Sequence, residues 1–91
     1  MSKAQEVQEL SEQARIAFRA YQDMNQSKTI YFQLLQDLDS KYKSGGAPSI
    51  SENLQLEKLL KEHDNNVAAF SIAMSAVEDT NDRTQLIKLM S

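Results

Sequence analysis

The chain predicts an all-α fold: an antiparallel hairpin of two long, coiled-coil-like helices, with a possible short third helix at its C-terminal end. Three observations carry this. From Val7 to Tyr42, apolar residues recur at alternating intervals of three and four. Both glycines and the only proline of the 91 residues fall between positions 45 and 48. A second run with the same alternation then extends from Leu56 to Val77. Ninety-one residues make one domain at most, so 1–91 reads as a single unit.

The first helix is expected over 4–44. Its seam is Val7, Leu10, Ala14, Ala17, Tyr21, Met24, Lys28, Tyr31, Leu35, Leu38 and Tyr42, with Lys28 as the one polar member. A seam of that spacing wants a partner helix. Ala, Gln, Glu and Leu fill the remaining positions and favour helix. Glu6, Glu9 and Glu12 lie early and Lys41 and Lys43 late, which complements the helix dipole.

The connection is expected at 45–48. Gly45 can take the left-handed conformation that ends a helix, and Gly46 leaves the exit direction free. Pro48 cannot continue the first helix and biases Ala47 toward extended backbone. Ser49, with Glu52 three residues on, spells a capping box that starts the second helix. So short a connection makes the helices antiparallel neighbours, with facing residue numbers summing to about 94. Tyr31 is then expected beside His63, and Lys28 beside Asn65 and Asn66.

The second helix is expected over 49–79, with Leu56, Leu60, His63, Val67, Phe70, Met74 and Val77 as its seam. After Val77 the pattern fails in "EDTNDR" and resumes with Leu86, Ile87, Leu89 and Met90. Residues 81–90 therefore either continue the helix in a shifted register or follow a bend near Thr80 to Asp82, where Thr80 or Asn81 would cap a short helix. Continuation is the favoured of the two.

The hairpin leaves apolar residues over. Ile16 and Ile30, and likewise Phe18 and Phe32, are fourteen residues apart, so each pair lies in line on the helix. With Leu34 they widen the first seam on both edges. Ile72, Leu86 and Met90 add to the second helix and its extension. These eight residues are the expected protein-interaction set. They imply that oligomerisation or docking on a protein partner completes the fold.

Little in the sequence points to catalysis. His63 is the only histidine and cysteine is absent, so no disulfide forms. "KEHDNN" lacks the spacing of a metal-binding helix, and no E-x-x-H pairs suggest a di-iron bundle. His63 reads as a seam residue. "SGG" at 44–46 lacks the lysine and preceding strand of a phosphate loop. No catalytic, cofactor-binding or metal residue is expected, and neither an enzyme activity nor a small-molecule substrate.

The net charge of -3 and the scattered bases argue against nucleic acid as a partner. No apolar run approaches the length of a membrane span, and "MSKAQEVQEL" lacks the apolar stretch of a signal peptide. A cytoplasmic location is expected, with export by a route that needs no cleavable signal left open.

The function that these features imply is a non-enzymatic interaction module, an adaptor or an assembly subunit. The alternative is a self-polymerising structural subunit or small chaperone of a secretion apparatus. Such proteins share the short, cysteine-free hairpin shape, but no motif here matches theirs.

Overall fold

A computed structural model describes residues 3–91, with side chains from Gln5 onward. Four helices follow one another: α1 (Lys3–Gln8), α2 (Glu12–Lys41), α3 (Ile50–Ser75) and α4 (Thr80–Met90). The long α2 and α3 form the antiparallel pair. The short α1 and α4 flank them at the end away from the connection.

The connection spans residues 42–49 and is longer than the 45–48 expected, because α2 already ends at Lys41. Gly45 and Gly46 have φ of +128° and +86°, a region that favours glycine over residues with a Cβ. Ser49 caps α3 in full. Its hydroxyl accepts from the Glu52 N–H at 3.1 Å, and the Glu52 carboxylate accepts from the Ser49 N–H at 2.9 Å. Glu52 also accepts from the Tyr42 hydroxyl and, at 3.0 Å, from the Lys41 ammonium. This network ties the start of α3 to the end of α2.

The longer connection shifts the pairing by about one turn. Ser27, not Tyr31, meets His63, with 2.8 Å between Oγ and Nδ1. The Asn66 amide donates to the Asp23 carbonyl at 3.3 Å, while Lys28 stands exposed. Facing numbers along the middle therefore sum to about 90.

The face of α3 that meets α2 also differs from the expected seam. Its buried and half-buried positions are Glu52, Leu56, Leu59, His63, Asn66, Phe70, Ala73 and Met74. Leu60 and Val67, both expected inside, are 40% and 41% exposed. The ends of the helix explain the rotation. Glu52 is held by the connection, and Ala73 is buried in the main apolar cluster. Residues 52, 59, 66 and 73 are spaced by sevens, so fixing the two outer ones on α2 places Leu59 and Asn66 there too. Leu60 and Val67 fall one residue off.

Two breaks depart from the sequence expectation. The first helix is interrupted at Glu9–Ser11, where the Ser11 hydroxyl caps α2 by accepting from the Ala14 N–H at 3.2 Å. The second helix stops at Ser75 rather than running on, so the bend is realised and the favoured continuation is overturned. The new cap is Asp79, not Thr80 or Asn81; its carboxylate accepts from the Asp82 N–H at 2.9 Å. Arg83 donates to the Val77 and Met74 carbonyls at 2.6 and 3.3 Å, tying α4 to the end of α3. Both breaks serve the same end of the hairpin. At each break the chain turns back on the hairpin, and Leu10, Leu86 and Leu89 join the buried cluster with Val7 packed against it. Folding back lets them close the end of the hairpin.

The main core lies there. Leu10, Ala14, Ala17, Phe18, Ala73, Val77, Leu86 and Leu89 form one buried cluster, with Tyr21, Met74 and Met90 packed against it. Elsewhere the molecule is thin: its extents are 53 × 26 × 15 Å, and its radius of gyration is 17.3 Å. A compact chain of this length would have a radius of about 12 Å.

Candidate interaction surface

The eight residues of the expected interaction set do not form one surface. Phe18 and Leu86 belong to the buried cluster, which removes them from any outer face. Met90 packs against that cluster, and its carbonyl accepts from the Tyr21 hydroxyl at 2.7 Å. Leu34 is half-buried. Ile16, Ile30, Phe32 and Ile72 are exposed, Ile72 at 73% the most so.

The exposed residues divide between faces. Ile30 lines a shallow depression with Ser27, Leu59, Glu62 and Asn66, on one edge of the α2–α3 pair. Phe32 is two residues on, which turns it by roughly 200° to the other edge, beside Lys28 and Gln36. Ile72, with Ile50 and Leu54, lies on the back of α3.

The Phe32 edge is continuous with the core. On α2, Phe18 and Phe32 stand in line two heptads apart. On α3, Leu60, Val67 and Met74 stand in line at intervals of seven. Since Leu59 and Asn66 border the Ile30 edge, Leu60 and Val67, one residue later, turn toward the Phe32 edge. The two lines border one groove between α2 and α3. Near the open end α4 fills it. There α4 lies mainly against α2, Phe18 is 8% exposed, and Met74 packs against the cluster that holds Leu86 and Leu89. Beyond Met90 no described residue fills it, and Phe32 is 51% exposed.

Phe18 and Phe32 are alike in sequence context, so sequence reasoning grouped them. Only the length of α4 separates them. Leu60 and Val67 were missed because "LEKLL" offers both Leu59 and Leu60 to a seam of threes and fours. The signal that could have found them is the heptad line through Glu52, once Ser49–Glu52 was read as a capping box.

Among the described residues the polar groups make no reactive constellation. His63 has the Ser27 hydroxyl as its partner. Glu52 is the most perturbed acid, its pKa pulled down from 4.5 to about 2, first by the Ser49 N–H and then by the Tyr42 hydroxyl and Lys41. The same contacts raise Lys41 and Tyr42 above their ordinary values, the hydrogen bond to Glu52 being the main cause for each. This is the chemistry of a helix start and its tether to α2.

Among the described residues no three or more His, Cys, Asp or Glu side chains gather as a metal site, and no helix is long and apolar enough to cross a membrane. A depression of about 740 Å³ between α1 and α2, lined by Arg15, Ile16, Arg19 and Gln22 among others, is open to water. Compared with known proteins, the chain matches no protein-family model, no curated protein and no solved structure.

Proposed function

We propose that this small all-α domain is a non-enzymatic protein–protein interaction module, acting as an adaptor or as an assembly subunit. One observation carries the reading. Large apolar side chains remain in water along a slab only 15 Å deep, where a stable domain ordinarily buries such faces between two layers. Scattered exposed apolar residues are ordinary. Here Phe32, Leu60 and Val67 instead continue lines that are covered elsewhere in the same molecule.

The second reading, a self-polymerising subunit of the kind found in secretion machinery, draws support from a different observation. Ile30, Phe32 and Ile72 face three ways. A subunit contacted on several sides would use them all, whereas an adaptor would use one.

Affinity capture from the native cell tests the interaction reading. Wild-type chain is compared with a variant carrying Phe32→Ser, Leu60→Ser and Val67→Ser, and with another carrying Ile16→Ser and Ile30→Ser. A specific set of bound proteins, this chain included, should be lost from one variant and kept by the other. An identical set on all three would defeat the reading. Growth of the assembly without limit as concentration rises would mark the polymerising subunit, and a fixed stoichiometry the adaptor.

A further inference from the structure

Building on the interaction-module reading, we propose that the bare stretch of the groove beyond α4 is covered by the same stretch of a second copy of this chain, laid face to face and upside down. The dimer would be a four-helix arrangement of two α2–α3 pairs, closed at each end by an α4.

The first support is area. A compact monomer of 10.3 kDa exposes about 5,400 Å². This chain exposes 6614 Å², an excess of roughly 1,200 Å². A standard interface takes about 800 Å² from each partner. The excess is therefore enough for one such interface, and a second slab on the groove would supply the missing layer.

The second support is the position of α4. It occupies the groove as far as Tyr21, where Met90 is bonded, and leaves bare the stretch from there to Lys41. At 1.5 Å per residue that stretch is roughly 30 Å long. Two copies stacked in the same direction would bring α4 against α4 and hold the bare stretches apart. Inverting one copy sends the two α4 helices to opposite ends and lets the bare stretches meet. The dyad then lies near Phe32 and Leu60, so that each packs against its own counterpart, as a two-fold interface requires.

Charge supplies the third support. On this edge of α2, Lys28 stands four residues before Phe32 and Asp39 seven after it, and both are exposed. In an inverted copy with its dyad near Phe32, Lys28 falls opposite position 36, about one helical turn from the other copy's Asp39. Each Lys28 comes within side-chain reach of the other copy's Asp39, which fixes direction and register.

Sedimentation equilibrium of the full chain from about 1 to 500 μM is the first measurement, and a dimer that does not grow further is expected. Leu60→Glu should raise the dissociation constant by about 100-fold, near 2.7 kcal/mol. Lys28→Glu, on an exposed side chain, should weaken the dimer by about tenfold, and adding Asp39→Lys should restore it. Because the chain has no cysteine, Phe32→Cys should oxidise to a disulfide-linked dimer, while Ile72→Cys on the back of α3 should not.

Circular dichroism should show the helix content of each variant unchanged. If Leu60→Glu unfolds the chain, the Lys28 and Asp39 exchange still decides the matter. A monomer throughout the range, a dimer in which Asp39→Lys fails to rescue Lys28→Glu, or equal cross-linking at positions 32 and 72 would overturn the proposal. A monomer whose groove captures another protein would overturn it too, while leaving the interaction-module reading intact. That reading fails only in the capture comparison above.

Discussion

The Tyr21 hydroxyl donates to the Met90 carbonyl at 2.7 Å, bonding α2 to the last turn of α4 across 69 positions of sequence. The carbonyl is one of those that a helix end leaves without an intrahelical partner. Tyr21→Phe keeps the ring against Phe70 and removes only the hydroxyl. It should destabilise the protein by about 1 kcal/mol, with faster amide exchange confined to α4. Uniform loss of protection, α3 included, would show that the bond does not act locally.

Leu86 is the largest side chain with no exposure and sits between α4 and the α2–α3 pair. Leu86→Ala should cost about 2–5 kcal/mol in chemical denaturation, because a cavity adds to the lost burial. Leu54→Ala, on the back of α3, should cost well under 1 kcal/mol. Equal effects would contradict a core concentrated at the open end.

Acid should loosen the connection. The Glu52 carboxyl titrates near 2 in the folded chain against an ordinary 4.5. A depressed acid stabilises the fold above its unfolded value and loses that contribution as pH falls through the folded one. The melting temperature should therefore fall between about pH 5 and pH 2, and Glu52→Gln should flatten that fall. At the alkaline end, the raised Lys41 and Tyr42 act with the opposite dependence, losing their contribution as pH climbs past 10. An unchanged acid slope in Glu52→Gln would refute the assignment.

Gly45→Val should destabilise by about 1 kcal/mol or more. At φ +128° there is space around the position, with no atom within 4 Å of an added Cβ, so the cost is backbone conformation alone. Gly45→Asn should cost less than Val. Equal melting temperatures for wild type and Gly45→Val would place the chain reversal elsewhere.

The hairpin was legible because stop, turn and start signals are local: Gly45, Gly46, Pro48 and the Ser49–Glu52 box need no tertiary context. The rotation of α3 was not. Leu59 and Leu60 satisfy a spacing of threes and fours equally well, and the choice is made by anchors at Glu52 and Ala73, 21 residues apart. The fold-back of α1 and α4 was hidden for another reason. Nothing near Ser11 or Ala76 states that α3 ends opposite residue 15 of α2. Ser11 is a serviceable cap, but serines also sit inside these helices, at Ser27 and Ser71. For the surface, the alignment of Phe18 with Phe32 was readable, yet which of them stays wet depends on where α4 stops.

The main buried cluster joins α4 to the segment that precedes α2. Leu10 and Leu89 share one cluster although 79 positions separate them, while the residues nearest the reversal are half in water. On a ribosome, α2 and α3 can pair once α3 has emerged behind the connection, but the cluster stays open until Leu89 has cleared the exit tunnel. Until then Phe18, Val77 and Met74 are as accessible as Phe32. For that interval the nascent chain presents its whole groove, and closure waits on α4.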